Sequence, residues 1–268
     1  DDAHLYVLPE QVEDEVLGVI DLTLRMYRTF GFEKVHLELS TKPEKHIGDD
    51  EMWAEAEALL AGALDRTGLE YRVNPGDGAF YGPKIDFHIE DVMGRTWQCA
   101  TCQLDFAMPE RFDLEYVGED NQRHRPVMLH RTVLGSIERF LGILIEHYGG
   151  AFPSWLAPVQ VVLIPVADRH LAYAREVAGE LGAHGLRVEV DDRTESMGRK
   201  IRDNEIGKIP WMLIVGDREV DSQEVSLRSH KEGDLGALGR RELVERLVHE
   251  TAIPAAGSAG SGVAARAE

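Results

Sequence analysis

Apolar residues recur at helical spacing across residues 10–30, where Val12, Val16, Ile20 and Met26/Tyr27 share one side and Gly31 closes the run. A period of about 3.6 predicts an amphipathic helix there. Val35–Ser40 alternates apolar and polar positions and reads as a strand. A second helix is predicted over Asp50–Thr67, with Trp53, Ala56, Leu59/Leu60 and Leu64 on one face and Gly68 as its stop. Residues 71–73, 80–89 and 96–106 follow as strands separated by turn residues. Residues 114–118 and 126–134 extend the set, and a helix over 136–147 carries Ile137, Phe140, Leu141 and Leu144 as its apolar stripe. A succession of short strands of this kind predicts an antiparallel sheet.

The period changes after a short Gly/Pro-containing linker at residues 149–158. Apolar runs at 159–165 and 209–215 read as buried strands, with further strands at 186–190 and Glu224–Ser229. Helices are predicted at 171–181, Met197–Ile206 and 241–250. Strands alternating with helices argue for a small α/β unit with a largely parallel sheet. Residues 253–268 are rich in Ala, Gly and Ser and read as a disordered tail.

The chain of 268 residues carries a net charge of −19, which excludes a general nucleic-acid coat. The charge is uneven: residues 1–156 carry −15 and residues 157–250 carry −4, so any RNA-facing surface is expected in the later part. No apolar run approaches the roughly 20 residues that span a bilayer, and no signal-peptide pattern is present. Cys99 and Cys102 are the only cysteines, which gives no disulfide framework and suits a reducing compartment.

Two residues break the apolar pattern. His130 sits within a strand between Leu129 and Arg131, and Arg139 lies in the first turns of an apolar helix. A buried charge needs a partner, and Arg near a helix N-terminus forgoes the favourable dipole arrangement. An anionic ligand accounts for both features; so does the plainer reading of a satisfied core His beside a surface Arg. The run Asn74-Pro75-Gly76-Asp77-Gly78 precedes a strand, lacks the helix N-terminus of a phosphate loop, and reads as a turn.

The wording W-Q-C-A-T-C-Q-L-D-F at residues 97–106, M-P-E-R-F at 108–112, H-R-T-V-L-G-S at 130–136 and G-S-I-E-R-F at 135–140 is specific. The last resembles motif 3 of class II aminoacyl-tRNA synthetases, and the set is similar to that of the threonyl-tRNA synthetases over most of residues 1 to about 250. The fold this resemblance implies is a mixture of α/β and α+β. A partial class II antiparallel sheet with helices is expected over residues 1–152, and an α/β anticodon-binding domain over 153–252, before the tail.

The resemblance also implies roles. His4 and His130 match the two histidines that bind zinc in the family, whose zinc-binding Cys would lie upstream of Asp1. Cys99 and Cys102 are the only thiols that could substitute, and on a regular strand their side chains point to opposite faces. Such a zinc favours a hydroxyl-bearing amino acid over isosteric valine, because sites built on a hydroxyl reject analogues lacking it. Asp2 and Tyr81 match positions around threonine. Lys84 and Gln98 are implied to contact the adenylate and Arg139 the phosphates of ATP, which enters with Mg²⁺. Thr101 and Gln103 share a strand face with this group, and Ser136 lines the same floor. Glu219 and Arg228 match anticodon-reading positions, with Arg218, Thr194, Arg199 and Lys200 in support.

The implied partners are threonine, ATP and threonine tRNA, with a homodimer in the full-length parent, a cytoplasmic location and no membrane. The chain begins Asp1-Asp2-Ala3-His4 without an initiator Met and is expected to be a piece of a longer protein. Motif 1 and the motif 2 arginine would lie before Asp1, so the chain alone is not expected to form the adenylate. Two other readings compete: a non-catalytic tRNA-binding or regulatory protein of synthetase origin, and a zinc hydrolase using His4 and His130, which lacks an obvious third ligand.

Overall fold

The computed structural model describes residues 1–254. They fall into two units that divide between Leu144 and Ile145. The expected disorder of the Ala/Gly/Ser-rich tail falls almost wholly outside the described residues.

The first unit opens with strand β1 (Ala3–Val7) and helix α1 (Val12–Thr29), then β2 (Val35–Ser40) and α2 (Asp50–Thr67). Strands β3 (Tyr71–Asn74), β4 (Lys84–Glu90) and β5 (Thr96–Asp105) follow. A short helix α3 (Ala107–Arg111) and a small hairpin of β6 (Tyr116–Val117) and β7 (Arg123–His124) lead into β8 (Val127–Thr132) and α4 (Ile137–Tyr148). The main sheet has six strands in the order β1-β8-β5-β4-β2-β3. Its pairings are antiparallel except β2 with β3.

The three long helices of this unit form where the spacing predicts, while the five-residue α3 has no predicted counterpart. Helix α1 buries Val12, Val16, Ile20 and Tyr27. Helix α2 starts on Asp49, whose carboxylate accepts from Met52 N at 2.8 Å, and stops at Gly68. On β4 the alternation is strict: Ile85, Phe87 and Ile89 are fully buried, while Lys84, Asp86 and His88 occupy the other face. Helix α4 places Phe140 against Tyr27, Phe30 and Phe32, with ring centroids 5.2–6.5 Å apart.

The second unit contains β9 (Val161–Pro165), α5 (Leu171–Ala183), β10 (Val188–Val190), α6 (Met197–Ile206) and β11 (Trp211–Val215). Then come α7 (Asp217–Ser222), β12 (Glu224–Ser229), β13 (Gly233–Gly239) and α8 (Arg240–Glu250). The five-stranded order is β10-β9-β11-β12-β13. Strands β10, β9 and β11 are parallel, but β12 and β13 add antiparallel. The sheet is therefore mixed rather than largely parallel, because a tight return through α7 replaces a full crossover helix. Val161, Leu163, Leu213 and Leu227 pack with Val177, Leu181, Leu243 and Leu247 as one core. Val162, Ile164 and Met212 pack on the other side against Ile201 and Ile209.

Candidate active site and RNA-facing surface

The register of the first sheet carries the predicted residues into rows. His4 pairs with His130, His130 with Gln103, Gln103 with Lys84, and Lys84 with Ser40. Directly paired side chains share a sheet face, so one row crosses five strands. The next row runs Thr132, Thr101, Asp86, Glu38 and Arg72.

Gln98 joins this face through an irregularity. Phe87 pairs with Ala100 but His88 pairs with Gln98, leaving Cys99 as an extra residue in β5. This bulge resets the alternation, so Gln98 and Thr101, three positions apart, both reach Asp86. Asp86 Oδ1 accepts from Gln98 Nε2 at 2.5 Å and from Thr101 Oγ1 at 2.9 Å. Its Oδ2 accepts from Lys84 Nζ at 2.5 Å and Ser40 Oγ at 2.8 Å. Lys84 also donates to Asp77 Oδ2 at 3.2 Å, which is the contribution of the Gly-rich turn. Burial works to lower the pKa of the Lys84 ammonium, but the hydrogen bonds and charges of Asp86 and Asp77 override it and the net direction is upward.

Over these rows lies a cleft of about 370 Å³ lined by Asp2, Tyr81, Thr101, Gln103, His130, Arg131, Thr132 and Gly135. Tyr81 OH donates to Gln103 Oε1 at 2.7 Å, and its ring lies 5.5 Å from that of His130. Two glycines make the walls possible. A Cβ on Gly82 would stand 1.7 Å from Leu104 O, and one on Gly135, where φ is +70°, would stand 2.5 Å from Cys99 O.

Helix α4 begins beside the cleft. Ser136 Oγ accepts from Arg139 N at 3.4 Å and donates to Glu138 at 3.0 Å, so it serves the helix start. Arg139 is exposed and makes no ion pair among the described residues. It acts on the buried Cys99 thiol: burial raises that thiol and Arg139 lowers it, leaving it at about 11. Asp2, Tyr81, Thr101, Gln103 and His130 thus line one cleft, and Lys84, Gln98 and Thr101 are tied together through Asp86. Ser136 and Arg139 stand apart from both sets.

The zinc implied by the resemblance has part of a donor set here. His4 and His130 face each other edge-on, with ring centroids 4.5 Å apart. His130 Nε2 lies 2.8 Å from the fully buried Asp105 Oδ2, the carboxylate partner that a metal-bound imidazole generally uses to fix its ring. A closed or catalytic zinc site requires at least three protein ligands. No group of three or more His, Cys, Asp or Glu residues able to hold a metal occurs among the described residues.

The cysteines do not complete the site. Cys102 pairs with Ile85 and Arg131, on the face away from His130, and its thiol is pushed by burial up to about 12. Cys99 is the bulge residue and is also buried. The simple alternation that would send the two thiols to opposite faces fails at the bulge.

In the second unit, Thr194 lines a cleft of about 390 Å³ with Asp168, Asp192, Arg193, Ser196 and Lys200. Lys200 turns inward, donating to Asp191 O at 2.9 Å and Pro165 O at 3.4 Å, so its ammonium braces the backbone instead of facing solvent. Arg199 is exposed and lies 3.6 Å from Glu195. Glu219, Arg218 and Arg228 do not line that cleft. Glu219 accepts from Ser226 Oγ at 2.8 Å and Gly216 N at 2.9 Å; burial raises its pKa, these bonds lower it, and the net direction is down. Arg228, two residues from Ser226 on the same face of β12, donates through Nε and Nη2 to Glu205 Oε1 at 3.1 and 2.8 Å. Arg218 is exposed, 3.8 Å from Glu219.

Asp86 and Ser40 were invisible to motif reading, and Asp105, inside the quoted wording at residues 97–106, was given no role by it. The available signal was chemical: an acidic residue at i+2 from Lys84 on a strand whose intervening positions are all apolar.

Residues 1–148 match the family model for the tRNA synthetase class II core domain (G, H, P, S and T), and residues 160–250 match that for the anticodon binding domain. The chain belongs to the class II tRNA synthetases, with a core and an anticodon-binding domain. It is 59% identical over 255 residues to a threonine–tRNA ligase from Caldanaerobacter subterraneus subsp. tengcongensis, covering 95% of this chain and 39% of that protein. A threonine–tRNA ligase from Carboxydothermus hydrogenoformans is 58% identical over 250 residues, covering 93% and 39%. Among solved structures, the RNA binding domain of threonyl-tRNA synthetase from Cryptosporidium parvum Iowa II superposes with a TM-score of 0.90 at 39% identity, over 95% of this chain and 64% of that one. The chain spans about two fifths of the length of the curated relatives it matches.

Proposed function

We propose that this chain is the later part of a threonine–tRNA ligase, supplying the floor of the amino-acid activation site and the domain that reads the anticodon. The observation that carries the reading is the cross-strand row His4–His130–Gln103–Lys84 beneath a cleft, in a chain 59% identical to a threonine–tRNA ligase. In the first reaction a threonine carboxylate oxygen attacks the α-phosphorus of magnesium-bound ATP and pyrophosphate leaves. In the second, a ribose hydroxyl at the 3′ end of threonine tRNA attacks the adenylate carbonyl and AMP leaves. Neither step needs covalent help from the protein; both need oriented donors on developing charge.

Lys84 and Arg139 are the cations we assign to the phosphates, and Gln98, Thr101 and Gln103 the polar groups that hold the adenylate. Asp2, Tyr81 and Ser136 border the amino acid. His4 and His130 are this chain's share of a zinc site, and zinc, when bound, supplies Lewis-acid contacts to the threonine amino and hydroxyl groups. Glu219 and Arg228, aided by Arg218 and Thr194, contact the anticodon, consistent with RNA readers that hydrogen-bond splayed bases. We place the protein in the cytoplasm as part of a homodimer; no described helix is long and apolar enough to cross a membrane.

The test joins this chain to the preceding segment of the Caldanaerobacter relative and measures ATP–pyrophosphate exchange with threonine, valine and serine. Threonine-selective exchange, followed by charging of threonine tRNA, is the expected result. Absence of exchange with retained tRNA binding would instead identify a non-catalytic tRNA-binding protein.

A further inference from the structure

Asp86 belongs to no motif, yet it organises the polar block of the floor. Its carboxylate is 1% exposed and receives four donors, two on each oxygen, from Gln98, Thr101, Lys84 and Ser40. These come from β2, β4 and β5, so one buried carboxylate ties three neighbouring strands on the ligand-facing side.

Two consequences follow from hydrogen-bond chemistry. A side-chain amide has a donor end and an acceptor end. Gln98 spends its Nε2 on Asp86 and on Thr101 Oγ1 at 3.0 Å, and its Oε1 has no partner among the described residues. Flipping the amide would set two oxygens against each other, so Gln98 can offer a ligand only an acceptor. An ammonium has three donors. Lys84 gives one to Asp86 and one to Asp77, so one direction remains for a phosphate oxygen.

We propose that Asp86 is a positioning residue of the activation site, which fixes Gln98 as an acceptor and aims the remaining Lys84 donor at the ligand. The inference rests on the functional reading above. It opposes a simpler role in which Asp86 merely offsets the charge of Lys84. The two roles differ in sign: a carboxylate that only balances charge weakens anion binding by Coulomb repulsion, so its removal would tighten binding. A carboxylate that positions donors strengthens binding, so its removal loosens it.

The experiment titrates the non-hydrolysable, anionic acyl-sulfamate analogue of threonyl-adenylate into the chain joined to the preceding segment of the Caldanaerobacter relative, and into its Asp86→Asn, Lys84→Ala and double variants, by calorimetry. Each single variant is expected to weaken binding roughly 10- to 100-fold, as small misplacements at such sites do. The double variant is expected to bind more weakly than Lys84→Ala, through the loss of Gln98 orientation, but by less than the product of the two single effects, because residues acting through one another are not additive. Ser40→Ala, which removes one restraint and leaves every ligand-facing group intact, is expected to weaken binding about 3- to 10-fold; it carries the test if Asp86→Asn does not fold. Wild-type or tighter affinity in Asp86→Asn, or in Ser40→Ala where that variant carries the test, with weakened Lys84→Ala, overturns the positioning role and leaves the functional reading standing. Unchanged affinity in Lys84→Ala, or no binding by the unsubstituted joined protein, overturns the functional reading and this inference with it.

Discussion

His130 Nε2 and Asp105 Oδ2 lie 2.8 Å apart in a site where the carboxylate is wholly buried, and Asp105 Oδ1 simultaneously accepts from Ala107 N at 2.8 Å and Met108 N at 3.0 Å. One side chain therefore starts helix α3 and holds the Nε2 edge of the imidazole that faces His4, leaving Nδ1 as the ring nitrogen not engaged by Asp105. Asp105→Ala is expected to lower stability by roughly 1–3 kcal/mol, the cost of buried donors left unpaired. Denaturant unfolding measures this, and nitrogen chemical shifts of His130 should report Nε2–H in the wild type alone.

Gly82 carries a backbone rather than a chemical role. Its missing Cβ makes room for Leu104 O, so Gly82→Ala forces the Tyr81–Lys84 segment off β5. The expected loss is roughly 3 kcal/mol or more, in the range of severe overpacking. Gly18, inside α1 with nothing within 4 Å of its Cβ position, is the control: Gly18→Ala is expected to stabilise by about 0.5–1 kcal/mol. Thermal unfolding of the two variants should move in opposite directions.

Both thiols are held protonated. Burial pushes Cys99 up to about 11, with Arg139 pulling the other way, and Cys102 up to about 12, from an ordinary 9.0. The folded chain at pH 8 is expected to react with iodoacetamide only as fast as it opens, and the denatured chain at once. The linkage has one sign. A folded-state pKa above the unfolded value contributes stability that is full below about 9 and drains as pH rises towards 11–12. Stability that stays level across that window would contradict the assignment.

Arg228 is held through Nε and Nη2 to Glu205 Oε1, which orders its guanidinium, and under the proposed function it contacts the anticodon. Arg228→Ala is expected to weaken binding of threonine tRNA by about 1–3 kcal/mol, with discrimination among anticodon bases relaxed. Arg199→Ala, at an exposed residue pairing with Glu195, should act more evenly across tRNA sequences. Filter binding with anticodon variants separates the two.

What the sequence made legible was decided by local pattern. Val35–Ser40 and Asp50–Thr67 coincide with their predicted limits because the first alternates cleanly in sequence and the second is an apolar repeat bounded by the Asp49 cap and Gly68. Residues 80–83 were predicted as strand but form a turn, since Gly82 and Pro83 break the ladder where Lys84 begins. Strand β1 went unread because five residues at a sheet edge alternate too briefly, and β13 because its three glycines pack no side chain. Helix α7 is without a predicted counterpart, its six residues showing no apolar repeat. At the site, motif resemblance singles out Lys84, Gln98, Gln103 and His130, but not their connection. That depends on the extra residue at Cys99 and on Asp86, and neither a bulge nor a buried hub leaves a periodic trace.

The most direct measurement is amide-shift mapping of the isotopically labelled chain titrated with the acyl-sulfamate analogue of threonyl-adenylate. Shifts concentrated at Tyr81, Lys84, Gln98, Thr101, Gln103 and His130, with the residues of β9 to α8 unmoved, are the predicted result. Saturable shifts centred on the second unit, or none at the six-stranded sheet, would contradict the placement of the activation floor.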